Sequence, residues 1–119
     1  MIKEMKKILQ IIVIALSIFT FSGYQKEEVA VEYKYEVTGT SGDYSVTMQN
    51  TDNNTQQFSN VGNGWLYKWT QTTTRWLYLS AQNNSSSGNV TVRIYRDGKV
   101  VAENTSYGGY TIATVDGYY

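Results

Sequence analysis

The stretch Arg75–Val101, RWLYLSAQNNSSSGNVTVRIYRDGKVV, decides how the rest of the chain is read. Leu77, Leu79 and Ala81 alternate with Trp76, Tyr78 and Ser80, and Val90, Val92 and Ile94 alternate with Thr91, Arg93 and Tyr95. A period of two puts each set on one side of an extended strand. An Asn/Ser/Gly run separates the two strands. Asp97-Gly98 then closes a hairpin, because a type I′ turn needs positive φ at both central positions and these residue types tolerate it. Val100 and Val101 begin the return strand. Read this way, three antiparallel strands with one apolar face each form half of a core, and the remaining chain supplies the other half.

Working outward, Val29 to Thr38 is a strand with Val29, Val31, Tyr33, Tyr35 and Val37 on one face and Glu32, Lys34 and Glu36 on the other. Asp43 to Gln49 follows with Tyr44, Val46 and Met48 inward. A polar loop at Asn50–Asn54 leads to a weak strand around Phe58, over Gln56 to Val61. Gly62-Asn63-Gly64 punctuates it. Trp65 to Thr70 is the next strand, with Trp65, Tyr67 and Trp69 on one face and Trp69 read as core. A last strand covers about Gly109 to Val115, with Tyr110, Ile112 and Thr114 opposite Thr111, Ala113 and Val115. Short strands at roughly ten-residue spacing, without helical periodicity, predict an all-β fold. The expected form is a small immunoglobulin-like β-sandwich of about seven to eight antiparallel strands, with a small barrel as the alternative.

The N-terminus has a different pattern. Met1–Lys7 carries three Lys and one Glu, and Ile8–Phe21 is almost wholly apolar. This is the charged and apolar succession of a secretory signal, and the run is shorter than the roughly 20 residues a membrane-spanning helix needs. Phe21-Ser22-Gly23-Tyr24 has the form of a lipobox in which Tyr24 stands where the lipidated Cys belongs, and a phenol does not replace a thiolate. The expected division is a signal peptide over 1–23, a tether and the start of the first strand over 24–32, and the sandwich domain over 33–119. The expected location is the periplasm or the membrane-associated envelope of a bacterium. Without its leader the chain keeps roughly 95 residues, enough for one modest core.

Composition narrows the chemistry. The chain of 119 residues has 11 Tyr and lacks Pro, Cys and His. Tyr and Thr favour strands, while Asn and Gly supply turns. Past Gly23, seven basic residues face nine acidic ones with no Lys/Arg cluster, which argues against nucleic acid as a partner. Without His and Cys there is no Ser-His-Asp or Cys-His arrangement and no imidazole or thiolate metal site. The carboxylates Asp43, Asp52, Asp97 and Asp116 sit beside turn residues, so turn chemistry explains them better than paired-carboxylate hydrolysis. The reading is therefore not an enzyme, with no cofactor and no metal. Asp52-Asn53-Asn54 offers oxygen atoms to Ca²⁺ but too few for the 6 to 8 that ion takes, and an Asx-type turn accounts for them better.

Several segments resemble the periplasmic domain of the mycobacterial small membrane protein family, MmpS. They are Tyr35-Glu36-Val37-Thr38-Gly39-Thr40, Leu79-Ser80-Ala81-Gln82-Asn83, and Val92-Arg93-Ile94-Tyr95 with Asp97-Gly98-Lys99-Val100-Val101. Lys68-Trp69-Thr70 is similar to that family's short Trp motif, and Glu103-Asn104-Thr105-Ser106 continues the match, so the resemblance runs over most of 33–117. It implies a small β-sandwich, no catalysis, and a role beside large transporters that export lipids and siderophores. This chain departs from the family where Val92 and Val115 stand in the places of a Cys pair, and in its lipoprotein-like leader.

The remaining signal is aromatic. If Leu77 and Leu79 point inward, Trp76 and Tyr78 point outward. The same parity turns Arg93 and Tyr95 outward on their strand. Were the two strands neighbours, Trp76, Tyr78, Arg93 and Tyr95 would form one exposed patch of the residue types that dominate binding hot spots. Partial cover, or cross-strand pairing within the sheet, explains the same residues. Two functions follow. The first is a non-catalytic exported accessory domain that docks on an envelope or membrane protein, with an export transporter as the partner the resemblance implies. The alternative is a carbohydrate-binding module using exposed Trp and Tyr on a glycan.

Overall fold

A computed structural model describes residues 29–119. The leader, its lipobox-like end and residues 24–28 of the tether lie outside the described residues. Eight strands follow in order: β1 Val31–Gly39, β2 Tyr44–Gln49, β3 Thr55–Val61, β4 Trp65–Gln71, β5 Trp76–Asn83, β6 Asn89–Arg96, β7 Lys99–Tyr107 and β8 Ile112–Tyr118. They form two four-stranded antiparallel sheets. Sheet I has the order β4-β1-β6-β7 and sheet II the order β3-β2-β5-β8. The fold is an all-β sandwich.

Alternation built the core. Tyr33, Tyr35 and Val37 of β1 and Val90, Val92 and Ile94 of β6 face Tyr44, Val46 and Met48 of β2, Leu77, Leu79 and Ala81 of β5, and Ala113 and Val115 of β8, all buried. Val29 is the exception among the expected inward residues. It precedes β1 and is 72% exposed. Val92 and Val115 lie on strands of opposite sheets that pack against each other across the core. Asp97 and Gly98 turn between β6 and β7 with φ of 48° and 78°, the two positive values a type I′ turn requires.

The Arg75–Val101 block is not one half of the core. β6 and β7 pair as a hairpin in sheet I, but β5 belongs to sheet II. The Asn84–Gly88 run is a crossover between sheets, because it is fastened sideways rather than closed into a hairpin turn. Asn83 is fully buried at the end of β5. Its Nδ2 donates to Ser87 O at 2.9 Å and Gly108 O at 3.0 Å, and its Oδ1 accepts Ser85 N–H at 3.0 Å. The same loop carries the segment before β8: Tyr110 N–H donates to Ser85 O and Gly108 N–H to Gly88 O. Gly109 lies so close to Ser86 that a Cβ would meet its backbone at 2.3 Å. This docking explains why β8 starts at Ile112, later than alternation predicts. Tyr110 N–H is taken by Ser85 O and Gly109 is packed against Ser86, so neither joins a ladder, while Thr111 O accepts Asn83 N–H at the end of β5.

The two open sides of the sandwich close by different means. At one side, Ala102 of β7 packs on the core and the inward Asn104 and Ser106 reach across to β8: Asn104 Nδ2 donates to Thr114 O and Ser106 Oγ to Ile112 O. At the other, half-buried aromatics of β3 and β4 fill the wedge. Phe58 packs on Trp65 at 5.2 Å between ring centroids, and Trp65, Tyr67 and Trp69 contact in sequence down β4. Trp69 stacks on Tyr33 at 5.5 Å and tilts onto Tyr35 at 4.6 Å, and its Nε1–H donates to Gln71 Oε1. Burial pushes the Tyr35 hydroxyl up to about 12.

Candidate functional site

The four expected patch residues do not come together. β5 and β6 lie in different sheets, so parity turns Trp76 and Tyr78 to the outer face of sheet II and Arg93 and Tyr95 to the outer face of sheet I. The joint patch is replaced by two faces on opposite sides of the molecule. The reason is the crossover at Asn84–Gly88, which alternation within a strand does not reveal.

Sheet I's outer face is charged and, across β1, β6 and β7, internally matched, while Lys68 of β4 stands opposite Lys34. Glu36 of β1, Arg93 of β6 and Glu103 of β7 lie side by side through the registers Glu36↔Arg93 and Arg93↔Glu103. Arg93 Nη1 donates to Glu36 Oε1 at 3.1 Å and to Thr38 Oγ1, while Nε donates to Glu103. Tyr95 Oη–H donates to Glu36 Oε1 at 2.8 Å, and Lys34 Nζ stands 4.0 Å over the Tyr95 ring. The hydrogen bond to Glu103 holds the Arg93 guanidinium above its usual value; partial burial opposes this and Glu36 adds to it. Tyr95 is raised first by burial and then by its bond to Glu36. Each of these polar groups already has a partner within the face.

Sheet II's outer face is different in kind. Its side chains are Ser45, Thr47 and Gln49 from β2, Thr55 and Gln57 from β3, Trp76, Tyr78, Ser80 and Gln82 from β5, and Ile112, Thr114, Asp116 and Tyr118 from β8. Asp116 is the single ionisable carboxylate, and Lys and Arg are absent from this set. Hydroxyls and amides both donate and accept, so apart from Asp116 the surface offers either role without charge. Two depressions open to solvent, of about 300 and 390 Å³, indent the face. They meet at Thr47, with Gln57, Ser80 and Gln82 toward one end and Gln49, Tyr78 and Trp76 toward the other. Trp76 is 39% exposed and is braced edge-on by Tyr118, with ring centroids 5.4 Å apart at 69°. A braced indole beside hydroxyl and amide groups combines an apolar platform with orienting hydrogen bonds, the usual make-up of a small-molecule site.

The Asn50–Asn54 loop is an Asx turn centred on Asn50, whose Oδ1 accepts N–H from Asp52 and Asn54, each at 3.0 Å. Its converging oxygens are taken by a side chain of the protein. Arg75 Nη2 donates to Asn50 O at 2.9 Å, Thr51 O at 2.7 Å and Asn53 Oδ1 at 3.4 Å. Among the described residues no group of three or more His, Cys, Asp or Glu is placed to hold a metal ion.

The sequence reading found Trp76 and Tyr78 but missed the hydroxyl and amide floor beside them. The signal was present in the outward positions of β2, β3 and β5, which carry no charge, whereas β1 alternates Glu, Lys and Glu outward. Comparison with protein-family models and with curated proteins finds no match for this chain. Among solved structures, it is similar to a carbohydrate binding module described in a study linking two families of calcium-dependent modules by circular permutation. The two share 15% identity with a TM-score of 0.40, over 74% of this chain and 87% of that one.

Proposed function

We propose that this domain binds a neutral glycan on the outer face of sheet II, with Trp76 as the platform. The observation that carries this reading is the pairing of a braced, exposed indole with a floor of uncharged hydrogen-bonding groups. A sugar ring presents apolar C–H faces and a rim of hydroxyls. It matches a surface that stacks and hydrogen-bonds without charge. The proposed role is binding rather than catalysis, and Trp76 and Tyr78 are the binding residues.

Docking on an envelope or membrane protein, as the MmpS resemblance implies, is the second reading. It would use Arg93 and Tyr95. Their donors are already engaged by Glu36 and Glu103, and Lys34 covers the Tyr95 ring, so that face offers a partner less. We further propose an extracytoplasmic location from the charged and apolar succession in residues 1–21. The mature N-terminus, read by mass spectrometry, tests that point.

The test of glycan binding is titration of intrinsic Trp fluorescence with a panel of soluble neutral polysaccharides. The expected result is a saturable shift with at least one of them, lost in Trp76→Ala while the thermal unfolding midpoint stays near that of the unmodified protein. A response that survives Trp76→Ala unchanged would show that the glycan sits elsewhere.

A further inference from the structure

We infer that the sheet II face accommodates a linear chain of several neutral sugar units along β2 and β5, and not a single sugar or a chain end at Trp76. This inference rests on the proposed glycan reading and extends it. The two depressions share Thr47 as a lining residue and follow one another along the strand direction. Trp76 and Gln82 mark the ends of the row on β5. Six residues of extended chain separate them, about 20 Å at the rise of a β-strand. That is far longer than one sugar ring. Both depressions are open, so nothing on the face encloses a chain terminus.

The order of chemistry along the groove has a consequence. Trp76 and Tyr78 give apolar contact at one end, beside Gln49. Beyond Thr47 the contacts become mainly polar, with Gln57 and Gln82 on either side of β2 and Phe58 and Ile112 as the apolar members of the lining. Gln57 is exposed and projects from β3 beside Thr47. Gln82 donates to Tyr110 O, which fixes its amide at the far end. A ligand anchored on Trp76 therefore gains hydrogen bonds one unit at a time as it lengthens. The charge pattern sets the class of chain. With Asp116 as the one ionisable carboxylate and no Lys or Arg on the face, carboxylated or sulfated glycans find no counter-charge there.

Isothermal titration with gluco-, xylo- and manno-oligosaccharides, from monosaccharide to hexasaccharide, tests this, with polygalacturonate as the anionic probe. In the neutral series that binds, affinity should climb at least tenfold from the disaccharide to a plateau before the hexasaccharide. Gln57→Ala should flatten that climb, and Trp76→Ala should lower affinity at every length. Binding of a monosaccharide as tightly as its hexasaccharide would overturn the extended groove and leave glycan binding standing. Tighter binding of polygalacturonate than of any neutral chain would overturn the choice of neutral ligand. No binding by any neutral oligosaccharide or polysaccharide would overturn the glycan reading and this inference with it.

Discussion

The outer faces of the two four-stranded sheets have the same pleat and opposite character. On sheet I, Glu36, Arg93, Glu103, Tyr95 and Lys34 satisfy one another. On sheet II, Ser, Thr and Gln side chains line open depressions beside a braced Trp. The contrast shows that outward residues of a strand can serve solubility and sheet cohesion in one place and recognition in another. A matched charge cluster gives sheet I cross-strand attraction and solvation but leaves few free donors. A face of hydroxyls and amides contributes less to cross-strand attraction and presents to a ligand groups that both donate and accept.

The separation of the two faces depends on the crossover that Asn83 holds, so the largest expected effect is there. Asn83→Ala strands Ser87 O, Gly108 O and Ser85 N–H in a region the crossover shields. Ser85 and Gly108 are half-buried and Ser87 is exposed, so water recovers part of the cost of about 1–3 kcal/mol per unsatisfied buried group, and the loss should be about 2–3 kcal/mol. Asn83→Asp is the sharper variant. It keeps the acceptor for Ser85 N–H and replaces the donor to the two carbonyls with a buried carboxylate. Urea denaturation should rank it no more stable than the Ala variant. If both variants unfold like the unmodified protein, Asn83 does not hold the sheets apart.

The two tyrosines with raised hydroxyls sharpen the comparison between inside and outside. Tyr35 lies in the core, donates to Gln49 O at 3.1 Å, and is pushed up to about 12 by burial. Its unfolded counterpart titrates near 10. The stabilisation from keeping the folded phenol neutral is complete below pH 10 and is lost as pH rises toward 12. It amounts to roughly 2–3 kcal/mol across that window. Tyr35→Phe removes this loss. At neutral pH the variant should be about 1 kcal/mol less stable for want of the hydrogen bond. Between pH 10 and 12 the difference should shrink and reverse, as followed by urea midpoints. A constant difference across that window would mean the Tyr35 hydroxyl is not desolvated.

Recognition tests the sheet II side of the contrast. An aromatic anchor of a binding site is worth about 2 kcal/mol or more, so Trp76→Ala should weaken glycan binding roughly thirtyfold. Thr47→Lys, placed where the two depressions meet, should have a similar effect by giving sheet II the charge that sheet I carries. Arg93→Ala should leave binding as it was. A drop with Arg93→Ala equal to that with Trp76→Ala would erase the distinction between the faces.

How far this was legible varies along the chain. Parity alone identifies Tyr33, Tyr35 and Val37, Leu77, Leu79 and Ala81, and Val90, Val92 and Ile94 as core, because a one-sided sheet imposes a period of two. Asp97-Gly98 identifies its hairpin because the backbone demand is local. Which sheet a strand joins is a long-range choice. Arg75–Val101 reads equally well as a three-stranded meander, and the pairing of β5 with β2 and β8, with the bonds Asn83 makes at its end, shows otherwise. The same gap hides the site. Trp76 and Tyr78 point outward by parity, but Gln49, Thr55 and Gln57 acquire meaning only when β2 and β3 are placed beside them.

The smallest expected effect concerns salt, and it separates the faces by mechanism. Exposed ion pairs are worth at most about 1 kcal/mol and are screened as ionic strength rises. Arg93 is half-buried between Glu36 and Glu103, so its contribution should lie near the top of that range. Raising NaCl from low concentration to about 1 M, where the screening length falls to about 3 Å, should therefore lower stability slightly through sheet I. Arg93→Ala should abolish most of that salt dependence. Binding to sheet II involves no charge pair, so the dissociation constant of a neutral glycan should stay constant over the same salt range. If glycan affinity instead falls with salt as stability does, charged groups take part in recognition and the division of labour between the two faces is wrong.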